Sequence, residues 1–411
     1  MPRRHDTATC RATPDYGVRV PPTSAAPAPT APTPISRKHD AQPKSAKQGE
    51  SAAQGVPAPQ GDSGPPRATA PQADPGASAS PAPQANPATP PGPAPDPLIG
   101  RTVAWFAAAR RDLPWRAPSR TPWGVLVSEV MLQQTPVARV EPVWRAWLGR
   151  WPTPAALAAA PTADVLRAWD RLGYPRRALR LHECARVVVE RHGGTVPADE
   201  AALRALPGVG EYTAAAVAAF AFGRRALVVD TNVRRVLARA VGGVALPAPT
   251  PTAAERQTAT ALVPDDDATA VAWAAASMEL GALVCTARSP RCGECPVGDL
   301  CAWRAAGHPG DEHAHRRRAQ AWHGTDRQCR GRIMAVLRGA PGPVPRSVID
   351  AAIDAAIGAA ISTAVGAGTR SAGAAPESRP DRAQVTRCLA GLIEDGLVEQ
   401  TPARAYRLPA D

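Results

Sequence analysis

Lysine is nearly missing from this chain. Of 411 residues only Lys38, Lys44 and Lys47 are lysine, and from Leu98 to Asp411 every fixed side-chain cation is arginine. The excess of Ala, Arg, Pro and Gly that accompanies this gap reads as a GC-rich coding bias. Its chemical consequence is that no lysine beyond the N-terminal region is available to form an imine with a substrate. Aromatic residues are also scarce, at 4%, yet all ten tryptophans lie between Trp105 and Trp322, which is where cores are to be sought. No apolar run is long enough to span a bilayer. The opening "MPRRHDTATCRATPDYG" has charge but not the apolar centre of a secretory signal, so a cytoplasmic chain is expected.

What the chain has in excess is positive charge, +12 with a pI near 10. A basic chain with no membrane segment points first to polyanions, and nucleic acid is the commonest of them. Residues 1–97 hold 23 of the 48 prolines and a single aromatic, Tyr16, a composition that cannot bury enough apolar surface to offset its ordering entropy. They read as a disordered tail. Residues 98–303 read as successive helices broken by Pro and Gly, among them "WGVLVSEVMLQQT", "RRALRLHECARVVVERHG" and "TAVAWAAASMELGALVC". Strand-like alternation is rare there, so the expected class is all-α with short connections. A linker is expected over 304–326. Beyond it, 327–411 combine helical patterns and a Gly/Ala/Ser insert with a terminal two-strand pattern, a winged-helix-like unit.

Four motifs carry chemistry. "CTARSPRCGECPVGDLC" spaces Cys285, Cys292, Cys295 and Cys301 as x6, x2, x5. Four thiolates hold tetrahedral zinc or an iron–sulfur cluster, and the uneven spacing is unlike paired zinc knuckles. Arg288 and Arg291 in this loop are placed to reach phosphate. "LPGVGEYTAAAV" joins two helices through Gly-Val-Gly, either an ordinary glycine turn or a helix–hairpin–helix whose backbone amides face a DNA phosphate. Its candidate contacts are Leu206, Gly208, Val209 and Gly210. "VVDTNVRRVLARA" puts Asp230 at the start of an amphipathic helix, as an N-cap, an anion for a cationic sugar, or both. In "SEVMLQQT" the one charge, Glu129, neighbours Val125, Leu126, Leu132 and Gln133 at helical spacing. None of these is a cation. A carboxylate buried there without a partner has a raised pKa.

In this order the motifs resemble the MutY-type adenine DNA glycosylases, sister family to endonuclease III within the helix–hairpin–helix glycosylase superfamily. The resemblance runs over roughly Leu98 to Trp303 and includes "LGYPRRALRLH". It implies two helical subdomains, a [4Fe–4S] cluster on the four cysteines, and excision of adenine mispaired with 8-oxoguanine or guanine in double-stranded DNA. It assigns Glu129 as the acid that protonates adenine and Asp230 as the carboxylate that stabilises the oxocarbenium ion, with Tyr212 and Asn232 in support. Gln133, Gln134 and Tyr174 are implied DNA contacts, and Pro175 stands where the family usually has a second tyrosine. Tyr212 occupies the place of the imine-forming lysine of bifunctional relatives, which implies a monofunctional hydrolase. A monomeric, nucleoid-associated enzyme is expected. Residues 320–411 are too short and too helical for the Nudix-like domain that reads 8-oxoguanine in well-known members. Two other readings compete. One is a thymine or uracil mismatch glycosylase, which does not need ring protonation by Glu129. The other is a non-catalytic iron–sulfur DNA-binding regulator, which leaves Glu129 and Asp230 without a task.

Overall fold

The computed structural model describes residues 96–316, 324–366 and 380–410, with side chains as far as residue 358 in the middle segment. The tail expected over 1–97, except its last two residues, lies outside the described residues, as do 317–323 of the expected linker and 367–379 of the insert. Fifteen helices and three short strands make up the described part. In chain order the helices are α1 (Pro97–Ala109), α2 (Pro122–Leu132), α3 (Val137–Arg150), α4 (Pro154–Ala158), α5 (Thr162–Ala168), α6 (Arg176–His192), α7 (Glu200–Arg204) and α8 (Glu211–Phe222). Then follow α9 (Thr231–Ala240), α10 (Ala253–Ala261), α11 (Asp267–Leu283), α12 (Ala302–Ala305), α13 (Asp326–Gly339), α14 (Arg346–Gly366) and α15 (Arg382–Glu394).

Side-chain caps start many of these helices. Thr121, Thr153, Asp199, Asp230, Thr252, Asp266, Thr325 and Asp381 each accept a hydrogen bond from an amide in the first turn that follows. Helix α2 is buried on every side from Trp123 to Met131, as a helix without a polar face must be. It packs against α3 and α8. Small residues allow the close approach: α8 is buried from Thr213 to Ala219, mostly alanine, and a Cβ at Gly124 would lie 3.1–3.2 Å from Leu148 and Trp144.

Two larger clusters of buried side chains result. The first contains α2–α8 residues and six tryptophans, with edge-to-face pairs Trp115–Trp144 at 5.7 Å, Trp147–Trp151 at 4.7 Å and Trp147–Trp169 at 5.7 Å. The second joins α1, α9 and α11 through Leu98, Ile99, Val233, Val236, Leu237, Trp273 and Leu280. Because α2 belongs to one cluster and α9 to the other, their functional residues meet at the boundary.

The C-terminal part has the element order of a winged helix: α13, β1 (Val344–Pro345), α14, α15, β2 (Glu399–Gln400), β3 (Ala405–Arg407). The sheet is antiparallel in the order β1-β3-β2, with Val344 opposite Tyr406 and Glu399 opposite Arg407. Ile333, Met334, Leu337, Val385, Leu389 and Leu392 bury themselves in the first cluster. No helix among the described residues is long and apolar enough to cross a membrane.

Candidate active site and iron–sulfur loop

Between the two clusters opens a cavity of about 850 Å³, lined by Glu129, Gln133, Gln134, Tyr212, Asp230 and Asn232 together with Arg111, Arg116 and Glu279. Glu129 is 5% exposed. Burial pushes its carboxyl up to about 7, against a lowering hydrogen bond from Tyr212 and with a further rise from nearby Asp230. The Tyr212 hydroxyl donates to Glu129 Oε2 at 3.1 Å, and burial, then Glu129, holds the phenol well above its ordinary range. The helix α2 that sequence spacing left without a cation therefore does have one close by. Arg116, from the turn after α1, lies near enough to lower Glu129 slightly.

Asp230 caps α9 and accepts from the amides of Asn232 (2.8 Å) and Val233 (2.7 Å) and from Asn232 Nδ2 (2.7 Å). Burial raises its pKa, and these hydrogen bonds and Arg235 oppose the rise. Asp230 is thus the N-cap that the sequence allows, and the same residue lines the cavity. Asn232 is fixed from behind: Arg235 Nη2 donates to its Oδ1 at 2.8 Å, and a Cβ at Gly281 would lie only 2.7 Å from its Cβ. The same guanidinium donates to the carbonyl of Cys285 at 2.7 Å, so one arginine ties the cavity wall to the start of the cysteine loop.

Sequence reasoning missed Arg111, Arg116 and Glu279. Glu279 on α11 is fully buried and receives Arg111 Nε (2.8 Å), Arg111 Nη2 (2.7 Å) and Arg116 Nη2 (3.1 Å). Burial raises its pKa, but these charge-assisted bonds prevail and hold it at about 2. The signal was present, because beyond Asp267 in its first turn Glu279 is the one charge in an otherwise apolar helix, much as Glu129 is in α2. Its partners lie more than 160 positions away.

The proposed DNA contacts are placed unevenly. Gln133 Nε2 donates to Thr213 Oγ1 at 3.3 Å, whereas Gln134 is exposed with a left-handed backbone, φ +56. Leu206 and Val209 are buried, so only their backbone is free to face a ligand. Gly208 has φ +79, and a Cβ there would meet Arg180 Cβ at 2.8 Å. Gly208→Ala should therefore cost about 1–3 kcal/mol of stability, read as a lower thermal midpoint; an unchanged midpoint would show that the hairpin yields without strain. Gly210 precedes α8, whose first turn has no side-chain cap. Arg288 is exposed, while Arg291 is engaged by Glu294 (2.9 Å) and the Leu283 carbonyl (2.7 Å). Tyr174 lies outside the cavity, in the turn before α6.

Cys285, Cys292, Cys295 and Cys301 line one small cavity with Arg239, Trp303 and Arg304. Arg239 is buried, stacks 4.6 Å from the Trp303 ring, and donates to Cys285 Sγ at 3.4 Å and to the Thr286 carbonyl at 2.7 Å. Four thiols around one cavity, with a guanidinium supplying positive charge to a sulfur, fit an anionic thiolate-bound cluster. A cluster held here supplies a cross-link that pins the loop.

The fold and the site define a base-excision DNA glycosylase. The profile of the "HhH-GPD superfamily base excision DNA repair protein" family matches residues 127–262, and that of the "Iron-sulfur binding domain of endonuclease III" matches residues 285–301. The four cysteines therefore carry an iron–sulfur cluster. Over 309 residues the chain is 50% identical to the adenine DNA glycosylase of Mycobacterium tuberculosis (strain CDC 1551 / Oshkosh), covering 75% of this chain and 92% of that one. It is 44% identical over 218 residues to the adenine DNA glycosylase of Homo sapiens, covering 50% of this chain and 39% of the human protein. The thymine-DNA glycosylase of Aeropyrum pernix is 35% identical over 206 residues, 49% of this chain and 92% of the relative. The chain belongs to the adenine DNA glycosylase family.

Proposed function

We propose that this adenine DNA glycosylase of base excision repair hydrolyses the N-glycosidic bond of adenine paired with 8-oxoguanine or guanine, and leaves an abasic site uncut. The observation that carries the reading is a carboxyl with a pKa of about 7 on the wall of a cavity with room for a flipped base, beside a second carboxylate. Adenine is a poor leaving group as an anion. Protonation of its ring by Glu129 lets the C1′–N9 bond break with its electron pair going to the base. Asp230, held at the N-terminus of α9, stabilises the cationic sugar, and water adds to C1′. Tyr212 orients Glu129 through its hydrogen bond.

The base must leave the stack to enter the cavity. Among the described residues buried Arg116 Nη1 has no hydrogen-bond partner, which makes it a donor ready for the flipped base. The paired Arg111 and Glu279 hold the Arg116 guanidinium in place. With no lysine from Leu98 onward, a lysine-imine lyase step has no nucleophile. The cavity residues named all come from one chain, which is compatible with an enzyme that works as a monomer on chromosomal DNA.

Single-turnover adenine release, revealed by alkali cleavage, from duplexes with adenine opposite 8-oxoguanine or guanine tests the reading. Release from neither would overturn it. The thymine-DNA glycosylase relative favours a second reading, and thymine release from a T:G duplex by this chain would establish it. Tyr212→Phe gives a finer test. It removes the hydrogen bond that lowers the Glu129 pKa, so the fall in rate at high pH should shift to higher pH than in the wild type. A shift to lower pH would mean that the phenol acts on some other group.

A further inference from the structure

Five arginines line the active-site cavity: Arg110, Arg111, Arg116, Arg120 and Arg234. Arg111 and Arg116 converge on Glu279. Arg120 Nε donates to the Phe220 carbonyl at 2.8 Å. Arg234 pairs with Glu255 at 2.6 Å and donates to the Ala248 carbonyl at 2.8 Å. Arg110 differs from all of these. The residue is exposed, and among the described residues its guanidinium has no hydrogen bond, ion pair or ring contact.

The local chain accounts for the difference. Arg110 ends α1: its amide donates to the Phe106 carbonyl at 3.0 Å, and its backbone is already extended, with φ −60 and ψ 138. Successive side chains of an extended chain take opposite sides. Arg111 turns inward, where its amide (2.9 Å) and its Nε (2.8 Å) both donate to Glu279, so Arg110 is left facing outward at the rim. The buried carboxylate that fixes the inner arginines therefore also fixes the backbone next to Arg110, and leaves its side chain free. A free cation here answers an electrostatic difficulty. The cavity presents Asp230, and Glu129 whenever it is ionised, to a substrate that is itself a polyanion. A nucleotide whose base enters the cavity brings its flanking phosphates to the rim, toward those carboxylates. The charge of Arg110 offsets that repulsion, and its fork of N–H donors matches phosphate oxygens.

We propose that Arg110 binds a phosphate flanking the target deoxyadenosine and so holds the flipped nucleotide with its base beside Glu129. The proposal rests on the reading above that the cavity takes an adenine from duplex DNA. Arg110 touches the backbone and reads no base, so its contribution should be the same for adenine opposite 8-oxoguanine and opposite guanine.

The test uses the full chain and duplexes holding a non-cleavable deoxyadenosine analogue opposite 8-oxoguanine. Either flanking phosphate is left intact or replaced by an uncharged methylphosphonate, and binding is measured across salt concentrations. On intact DNA, Arg110→Ala should bind about tenfold more weakly, and the slope of log affinity against log salt should fall by about one. Its thermal midpoint should match the wild type. Arg110→Lys keeps the charge and should keep the slope. At one of the two linkages, methylphosphonate should weaken the wild type about as much as Arg110→Ala does, yet weaken Arg110→Ala by about twofold at most. Losses that simply multiply at both linkages would overturn the proposal, as would an unchanged slope in Arg110→Ala. A wild type that releases no adenine, while the losses still fail to multiply, would sink the glycosylase reading and leave the phosphate contact standing.

Discussion

Glu129→Gln should bind a mispaired duplex as the wild type does and release adenine about 10²–10⁴-fold more slowly in a single turnover, the range expected for loss of a general acid. The substitution keeps the shape and an acceptor for Tyr212 but cannot deliver the proton. In the wild type the active form is the protonated carboxyl, so the rate should hold below about pH 7 and fall above it. Stability should respond as well. The folded carboxyl has its pKa raised from 4.5 to about 7, so the folded state binds more protons than the unfolded state between those values. Raising the pH through that window therefore destabilises the wild type. Glu129→Gln lacks this dependence, so above pH 7 its thermal midpoint should exceed that of the wild type. Equal midpoints at pH 5 and pH 8, relative to wild type, would show that the carboxyl is not buried as described.

Asp230→Asn should lower the rate about 10²–10³-fold, the loss typical of removing one preorganised electrostatic stabiliser. Asparagine is as good an N-cap as aspartate and can still accept from the amides of Asn232 and Val233. Its amide nitrogen would face Asn232 Nδ2, which costs a hydrogen bond, about 1 kcal/mol. A small fall in midpoint beside a large fall in rate is therefore the expected pattern. A rate within tenfold of wild type would show that the sugar cation is stabilised by another group. The two variants also separate by pH. The Asp230→Asn rate should keep the fall above about pH 7, because Glu129 still titrates, although loss of the neighbouring charge moves that fall downward.

Much of this site was legible because its residues break local rules. Glu129 is a charge in an apolar helix, Gly208 and Gly210 punctuate a hairpin, and four cysteines crowd one loop. Such violations can be read from neighbours in the chain. Arg116 and Arg111 break no rule in "ARRDLPWR", where arginine is ordinary, and only the approach of α11 shows that they converge on Glu279. Tyr212 was readable from its place in the hairpin motif, yet its bond to Glu129 spans 83 positions and needed the fold. The helical class followed from periodicity, and so did most helix positions. Arg327 lies 4.6 Å from the Tyr174 ring centroid, a contact that was invisible because it depends on how two separately patterned segments dock.

That docking changes what a truncation can reveal. Ile333, Met334 and Leu337 are buried in the same cluster as Leu166, Trp169 and Leu181. Cutting the chain before α13 would leave the outer sides of α5 and α6 facing water, next to the turn at Leu172 and Gly173 that Arg177 ties to the end of α2, the catalytic helix. The C-terminal unit is thus part of the wall against which the active-site helices are braced. Lost activity in a shortened chain would therefore report a loosened scaffold as well as any task of the removed segment, and only single side-chain changes at the seam keep the two apart.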